Sequence, residues 1–406
     1  MQQILPKKEG SNYEVSDIFR MFGEEYRRNN GMTKKQLAVM GAIENCRTSY
    51  YGSHLDRCEA CGYLSRDYNS CRDRHCPKCQ GTARRKWVEA RMEDIIPVPY
   101  YHVVFTLPHL LNVITSYNKK FVYDLLFSSS SETLLTFGRD PKWIGGELGF
   151  YGILHTWGQT MWQHPHVHFI VPGGALTQTS EWISLRYKNK FLFPEAALSQ
   201  VFRGKFIQGL KEAFYSGQLN LPPGDNNYSS PGAFERWVNR LVSRDWVVYC
   251  KSPMKTAEKV VRYIGRYTHR VAISNNRIID VREGRVDFHY KDYRAYKKTG
   301  HLWKTMTLDA RDFISRFLKH VLPPGFHKIR HFGYLANGRA KSSVSLIKGF
   351  LSVNTDKTEH SADIVNRPCP KCGTGKLFPI AIFGRFHTVV SVSWNLFMNG
   401  YAFDSA

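Results

Sequence analysis

At 406 residues the chain is too long for one ordinary domain, and roughly two to four folding units are expected. Lys and Arg number 57 against 34 Asp and Glu, a formal net charge of +23 that points to a polyanionic partner, and 14% aromatic residues supply stacking platforms for unpaired bases. With no run of about eighteen apolar residues and no charged-then-apolar leader, a membrane partner is set aside and a cytoplasmic protein is expected.

Residues 1 to 45 contain VSDIFRMFGEEY and TKKQLAVMGAIENC, two segments of helix-like apolar spacing that read as a helical lead-in. Residues 46 to 95 form a zinc-ribbon-like domain. Six of the nine cysteines fall between positions 46 and 79, and clustering without an export signal favours thiolate metal sites over disulfides. Cys58-x-x-Cys61 and Cys76-x-x-Cys79 are two knuckles fourteen residues apart, with Gly62 and Gly81 following where tight turns need a backbone free to take positive φ. Four such thiolates match one tetrahedral structural zinc. Cys46, His54, Cys71 and His75 interleave with them and either build a second zinc site or compete for the first. Arg72, Arg74, Lys78, Arg84, Arg85 and Lys86 surround the second knuckle and suit contact with nucleic acid.

A helix is predicted from Trp87 towards Pro97, followed by the buried strand YYHVVFTLP, which ends at Pro108. LLNVITSYNKKFVYDLLF and SETLLTFGRD have 3.6-residue spacing and are predicted to be helices covering a sheet. Next comes LHTWGQTMWQHPHVHFIV, residues 154 to 171. Successive side chains on a strand alternate faces, so His166 and His168 point one way while Val167 and Phe169 point into a core. If residues 151 to 158 and 165 to 171 pair as a hairpin turning near Gln159 to Gln163, His155 comes opposite His168 on the same face. Three imidazoles with open positions suit a divalent ion that polarises an oxygen; solvated histidines on a polar strand edge are the plainer alternative.

Residues 175 to 250 read as a strand pair, two helices and a strand, with no chemistry beyond a lone Cys250. SPMKTAEKVVRYIGRYTHRV, residues 252 to 271, is a predicted helix on which Tyr263 and Tyr267 stand one above the other, four apart, with Arg262, Arg266, His269 and Arg270 beside them. Two such tyrosines commonly pack against a neighbouring helix. Near a metal-bound phosphate and arginines, however, phenolate attack becomes feasible. A hairpin turning at Glu283-Gly284, a further strand and a helix follow. Between residues 254 and 350, 21 Lys or Arg face 7 Asp or Glu, which puts the phosphate-binding surface in this half. Past a polar linker, the knuckle Cys369-Pro-Lys-Cys372-Gly supplies only two ligands; His320, His327, His331 or a second chain would have to complete a zinc site, and a zinc-free turn is the alternative.

YNSCRDRHCPKCQ, YHVVFTLP, LHTWGQ, HPHVHFIVPGG, YIGRYTHRVAISNNRI and FHKIRHFGYLAN, in this order and spanning roughly residues 46 to 337, resemble the two-tyrosine rolling-circle transposases of insertion-sequence family ninety-one. These belong to the histidine-hydrophobe-histidine (HUH) endonuclease superfamily. The resemblance implies an α+β fold, with the HUH strand central in an antiparallel sheet and the tyrosine helix across its metal face. Its domains would be residues 46–95 for zinc binding, 96–345 for catalysis and 346–406 as a C-terminal tail. It implies bacterial single-stranded DNA cleavage and strand transfer at transposon ends and target DNA, with nucleoid association when bound. In that reading His166 and His168 hold Mg²⁺ or Mn²⁺, His155 is the candidate third ligand, and Tyr263 and Tyr267 form 5′-phosphotyrosyl links. Arg84, Arg85, Arg262, Arg266 and Arg270 are the candidate DNA contacts. An HUH replication initiator or relaxase uses the same chemistry, and a non-catalytic zinc-ribbon DNA-binding protein is the reading from another class.

Overall fold

The computed structural model describes residues 13–92, 94–185, 192–254, 260, 265, 268–352, 367–385 and 389–392. Its strands, in chain order, begin with β1 (Ser53–Cys58), β2 (Leu64–Tyr68), β3 (Tyr100–Thr106), β4 (Gly149–Trp157) and β5 (Gln163–Pro172). They continue with β6 (Gly174–Leu176), β7 (Trp182–Ser184), β8 (Val248–Met254), β9 (Ile278–Arg282) and β10 (Arg285–Lys291). The last are β11 (Trp303–Asp309), β12 (Ile329–Gly333), β13 (Leu377–Phe383) and β14 (Val389–Val392). Helices and antiparallel sheets mix throughout, as an α+β chain requires. The chain divides into two units that are not consecutive in sequence: residues 1–83, 273–321 and 356–406 make one, and residues 84–272 and 322–355 the other.

In the second unit a five-stranded sheet runs β12-β4-β5-β3-β8, with every neighbouring pair antiparallel. The HUH strand β5 is therefore central. One face is apolar because alternate residues of each strand are: Tyr101, Val103 and Phe105 of β3, Phe150 and Leu154 of β4, and Val167, Phe169 and Val171 of β5 are all buried in one core. Helices Lys119–Arg139 and Glu195–Tyr215 cover that face with Val122, Leu126, Phe127, Phe202, Phe206 and Leu210. The Phe169 ring lies 5.2 Å from Phe150 and 5.8 Å from Phe105 and occupies the space over Gly152, where an added Cβ would come within 2.6 Å of it. Residues 119–139 form one helix where the sequence suggests a break at its serine run. Ser130 and Thr133 donate to the carbonyls of Leu126 and Ser129, which satisfies these hydroxyls inside the core.

In the first unit β14-β13-β1-β2 form one sheet and β11-β10-β9 another. Helix Val15–Asn29 packs Phe19 against Phe317 of helix Ala310–Lys319, with ring centroids 5.3 Å apart. Helix Lys34–Glu44 starts on a Thr33–Gln36 capping box and donates from Gln36 Nε2 to the Leu318 carbonyl at 3.2 Å. The N-terminal helices are thus part of this unit's core. β9 and β10 turn through Glu283 and Gly284, with φ of 49° and 71°, as a two-residue hairpin demands. Among the described residues no helix is long and apolar enough to cross a membrane.

Candidate functional site

The β4–β5 hairpin turns at Gly158–Trp162, where the Gly158 N–H donates to the Trp162 carbonyl at 2.9 Å. His155 pairs with His166, and His168 with Ile153. The sequence suggests His155 opposite His168. The pairing slips by two residues because the turn begins one residue earlier. A slip of two preserves the face, so all three imidazoles still converge. Their ligating nitrogens lie within 4.8 Å of one another. Ring centroids are 4.5 Å apart for His155–His168 and 4.8 Å for His166–His168.

Hydrogen bonds orient the rings. His166 Nδ1 donates to the His164 carbonyl at 2.6 Å, which presents Nε2 as the ligating atom. His168 Nδ1 lies 2.8 Å from Nε2 of His102 on the adjacent strand β3, and the two rings are parallel within 7°. This partner fixes the His168 ring and leaves its Nε2 facing the cluster. Burial pushes the His166 pKa down to about 3, with the His164 and Arg270 charges adding to it. Burial likewise holds His168 well below its ordinary value, with contributions from His155, His166, His102 and Arg270, and takes His102 down to about 3. Neutral imidazole is the metal-binding form, so the donor set fits a divalent ion with open positions for phosphate oxygens.

Arg270 is the described cation of the arginine set next to this face, and Lys328 donates to its carbonyl at 2.7 Å. Tyr263, Tyr267, Arg262 and Arg266 lie outside the described residues. In the same segment Val260 is buried with Ile170 and Tyr151, both on the histidine side of the sheet, and Thr268 is buried too. Arg84 and Arg85 are exposed on helix Gln80–Met92, with Arg85 3.9 Å from Glu89.

The cysteines partition differently from the expected foursome of Cys58, Cys61, Cys76 and Cys79. Cys76 and Cys79 group with Cys46 and Cys71, with Sγ–Sγ distances of 3.3 Å for Cys46–Cys79 and 3.5 Å for Cys71–Cys79. A zinc tetrahedron with 2.3 Å bonds has edges of about 3.8 Å, so this set suits structural zinc. Cys58 and Cys61 instead face Cys369 and Cys372, because β13 pairs antiparallel with β1 from Ser53↔Phe383 to Cys58↔Leu377. Neither histidine proposed for a second zinc joins a thiol group. His75 Nδ1 is 2.8 Å from Asp73, and His54 sits between Asp56 and Arg367, at 3.8 and 3.4 Å.

A family model described as "Putative transposase" matches residues 149–343, and one described as "Transposase zinc-binding domain" matches residues 18–107. A Sinorhizobium fredii protein described in the first model's words, under the symbol y4qJ, is 42% identical over 388 residues, covering 92% of this chain and 96% of its own. The chain belongs to the transposases of insertion-sequence family ninety-one. The transposase for insertion sequence element IS801 of Pseudomonas savastanoi pv. phaseolicola is similar at 28% identity, over 76% of this chain and 72% of its own. No solved structure matches significantly.

As a transposase, the protein acts on DNA, in keeping with its +23 charge. Its matched zinc-binding span includes the six N-terminal cysteines and ends far short of Cys369. Two features of the transposase emerge only from its fold. One is His102, which in the sequence stands as one residue of the buried strand YYHVVFT, where the lone histidine among apolar neighbours is its signal. The other is the partnership of Cys58-Glu-Ala-Cys61-Gly62 with Cys369-Pro-Lys-Cys372-Gly373, for which the shared pattern Cys-x-x-Cys-Gly is the sequence signal.

Proposed function

We propose that this transposase cuts single-stranded DNA at the ends of its element and transfers the strand through 5′-phosphotyrosine links, by rolling-circle transposition. The observation that carries this reading is the set of three converging imidazoles, His155, His166 and His168, on the central strand pair of the sheet. These three residues would hold a divalent ion, Mg²⁺ or Mn²⁺. When bound, that ion supplies Lewis-acid polarisation of the scissile phosphate. The remaining work belongs to side chains. His102 and the His164 carbonyl keep the ligand rings in register, and Arg270 adds positive charge beside the histidines where phosphate oxygens would sit. Tyr263 or Tyr267 attacks phosphorus. A bond forms from the phenolic oxygen, the bond to the 3′-oxygen breaks, the phenolic proton is lost, and the departing oxygen takes one up to leave a 3′-hydroxyl. The other tyrosine stays available for a second cleavage while the first is occupied.

The test incubates the protein with a labelled single strand carrying the element end and Mn²⁺ or Mg²⁺, then resolves it on a denaturing gel. A covalent protein–DNA band that disappears in the Tyr263→Phe, Tyr267→Phe double variant is expected. No band with either metal, or a band that survives loss of both tyrosines, overturns the mechanism.

A further inference from the structure

We propose that Cys58, Cys61, Cys369 and Cys372 hold a second structural zinc ion, one that clasps the C-terminal knuckle onto the N-terminal sheet. The two knuckles are near copies of each other. Each turns on a glycine of positive φ, Gly62 at 70° and Gly373 at 71°, and each of these glycines donates its N–H to the carbonyl of the knuckle's first cysteine, at 3.1 and 2.9 Å. Cys58 Sγ lies 3.8 Å from Cys372 Sγ and Cys61 Sγ 3.7 Å from Cys369 Sγ, across sequence separations of 314 and 308 residues. Both distances match the tetrahedron edge of about 3.8 Å that four zinc-bound thiolates impose.

The surroundings are built for thiolate rather than for packed thiol. The Gly375 N–H donates to Cys372 Sγ at 3.3 Å. Gly375 itself has no room for a side chain, since an added Cβ would lie 2.5 Å from Cys58 Sγ and 2.7 Å from the Ala60 Cβ. A backbone bond then ties one knuckle to the other, Glu59 N–H to the Lys376 carbonyl at 3.1 Å, while Cys369 N–H to the Gly375 carbonyl at 2.7 Å closes the C-terminal knuckle on itself. Just ahead of the C-terminal knuckle, Arg367 reaches Asp56 of β1 at 3.0 Å and Asp67 of β2 at 2.9 Å, so the C-terminal segment is tied to β1 and β2 by charge as well. His54 is spent in that ion cluster, which makes the site all-sulfur.

Metal analysis and zinc-edge X-ray absorption on the purified, reduced full-length transposase test the proposal. Two zinc ions per chain, each with four sulfur neighbours, are expected. One zinc per chain, or peptide mapping that finds these four cysteines in disulfides without metal, would each overturn it. The Cys369→Ser, Cys372→Ser variant is expected to keep one zinc, bound at Cys46, Cys71, Cys76 and Cys79; retention of both would overturn the assignment. The wild-type measurement decides the matter if the variant fails to fold.

Discussion

The histidine face of the central sheet and the thiol clusters of the other unit are both candidate metal-ligand sets, yet they are assembled in opposite ways. His155, His166 and His168 come from one hairpin, so strand alternation alone brings them to one face and even a two-residue slip leaves them together. Cys58 and Cys61 meet Cys369 and Cys372 only because β1 pairs with β13 across more than 300 residues. The first set is a local property of the sequence and the second a property of topology. A local ligand set can be tuned for chemistry with little effect on the fold, whereas a topological one is part of the fold.

That contrast predicts independent failure. The largest effect is expected at the histidine face: His168→Ala should lower covalent adduct formation by about 10³-fold, several kcal/mol of transition-state stabilisation. The same variant should retain its thiolate zinc, and loss of all zinc would break the separation drawn here. Next, Cys76→Ser should release the zinc of the Cys46 cluster and cost the first unit more than about 4 kcal/mol, read as a lowered unfolding midpoint for that unit. Unchanged stability would demote that cluster to a passive site. His102→Ala should weaken metal affinity by about 10- to 100-fold while leaving the rate at saturating Mn²⁺ near that of the wild type. A fall in that saturated rate would show that His102 does more than position His168. Smallest of all, three nitrogen donors favour Mn²⁺ over Mg²⁺, so half-maximal activity should need about tenfold less Mn²⁺ in a metal titration. Equal requirements would mean that oxygen ligands dominate the first shell.

How far each region was legible follows from the same distinction. Period-two alternation in HPHVHFIV and YYHVVFT located both strands and the buried face. The turn at Glu283-Gly284 was legible because only certain residues accept its φ values. The family resemblance supplied the order of elements and the central place of β5. Hidden were pairings between distant strands, since no local pattern says that β13 lies beside β1 or that β12 lies beside β4. Proximity in sequence therefore suggested the wrong partners for Cys58 and Cys61. His102 was hidden for a related reason: its importance lies in the cross-strand bond to His168, and only the register of β3 on β5 supplies that neighbour.

The β1–β13 pairing also sets an order of events during synthesis. A ribosome adds roughly 5 to 20 residues per second, so β1 waits on the order of 20 to 60 seconds before β13 emerges to cover its edge. During that interval the nascent chain exposes an unpaired strand edge and half of a thiol set, while every strand of the five-stranded sheet has already been made. Completion of the N-terminal sheet is therefore a late step in the life of the molecule, and a chain cut short before residue 377 never reaches it.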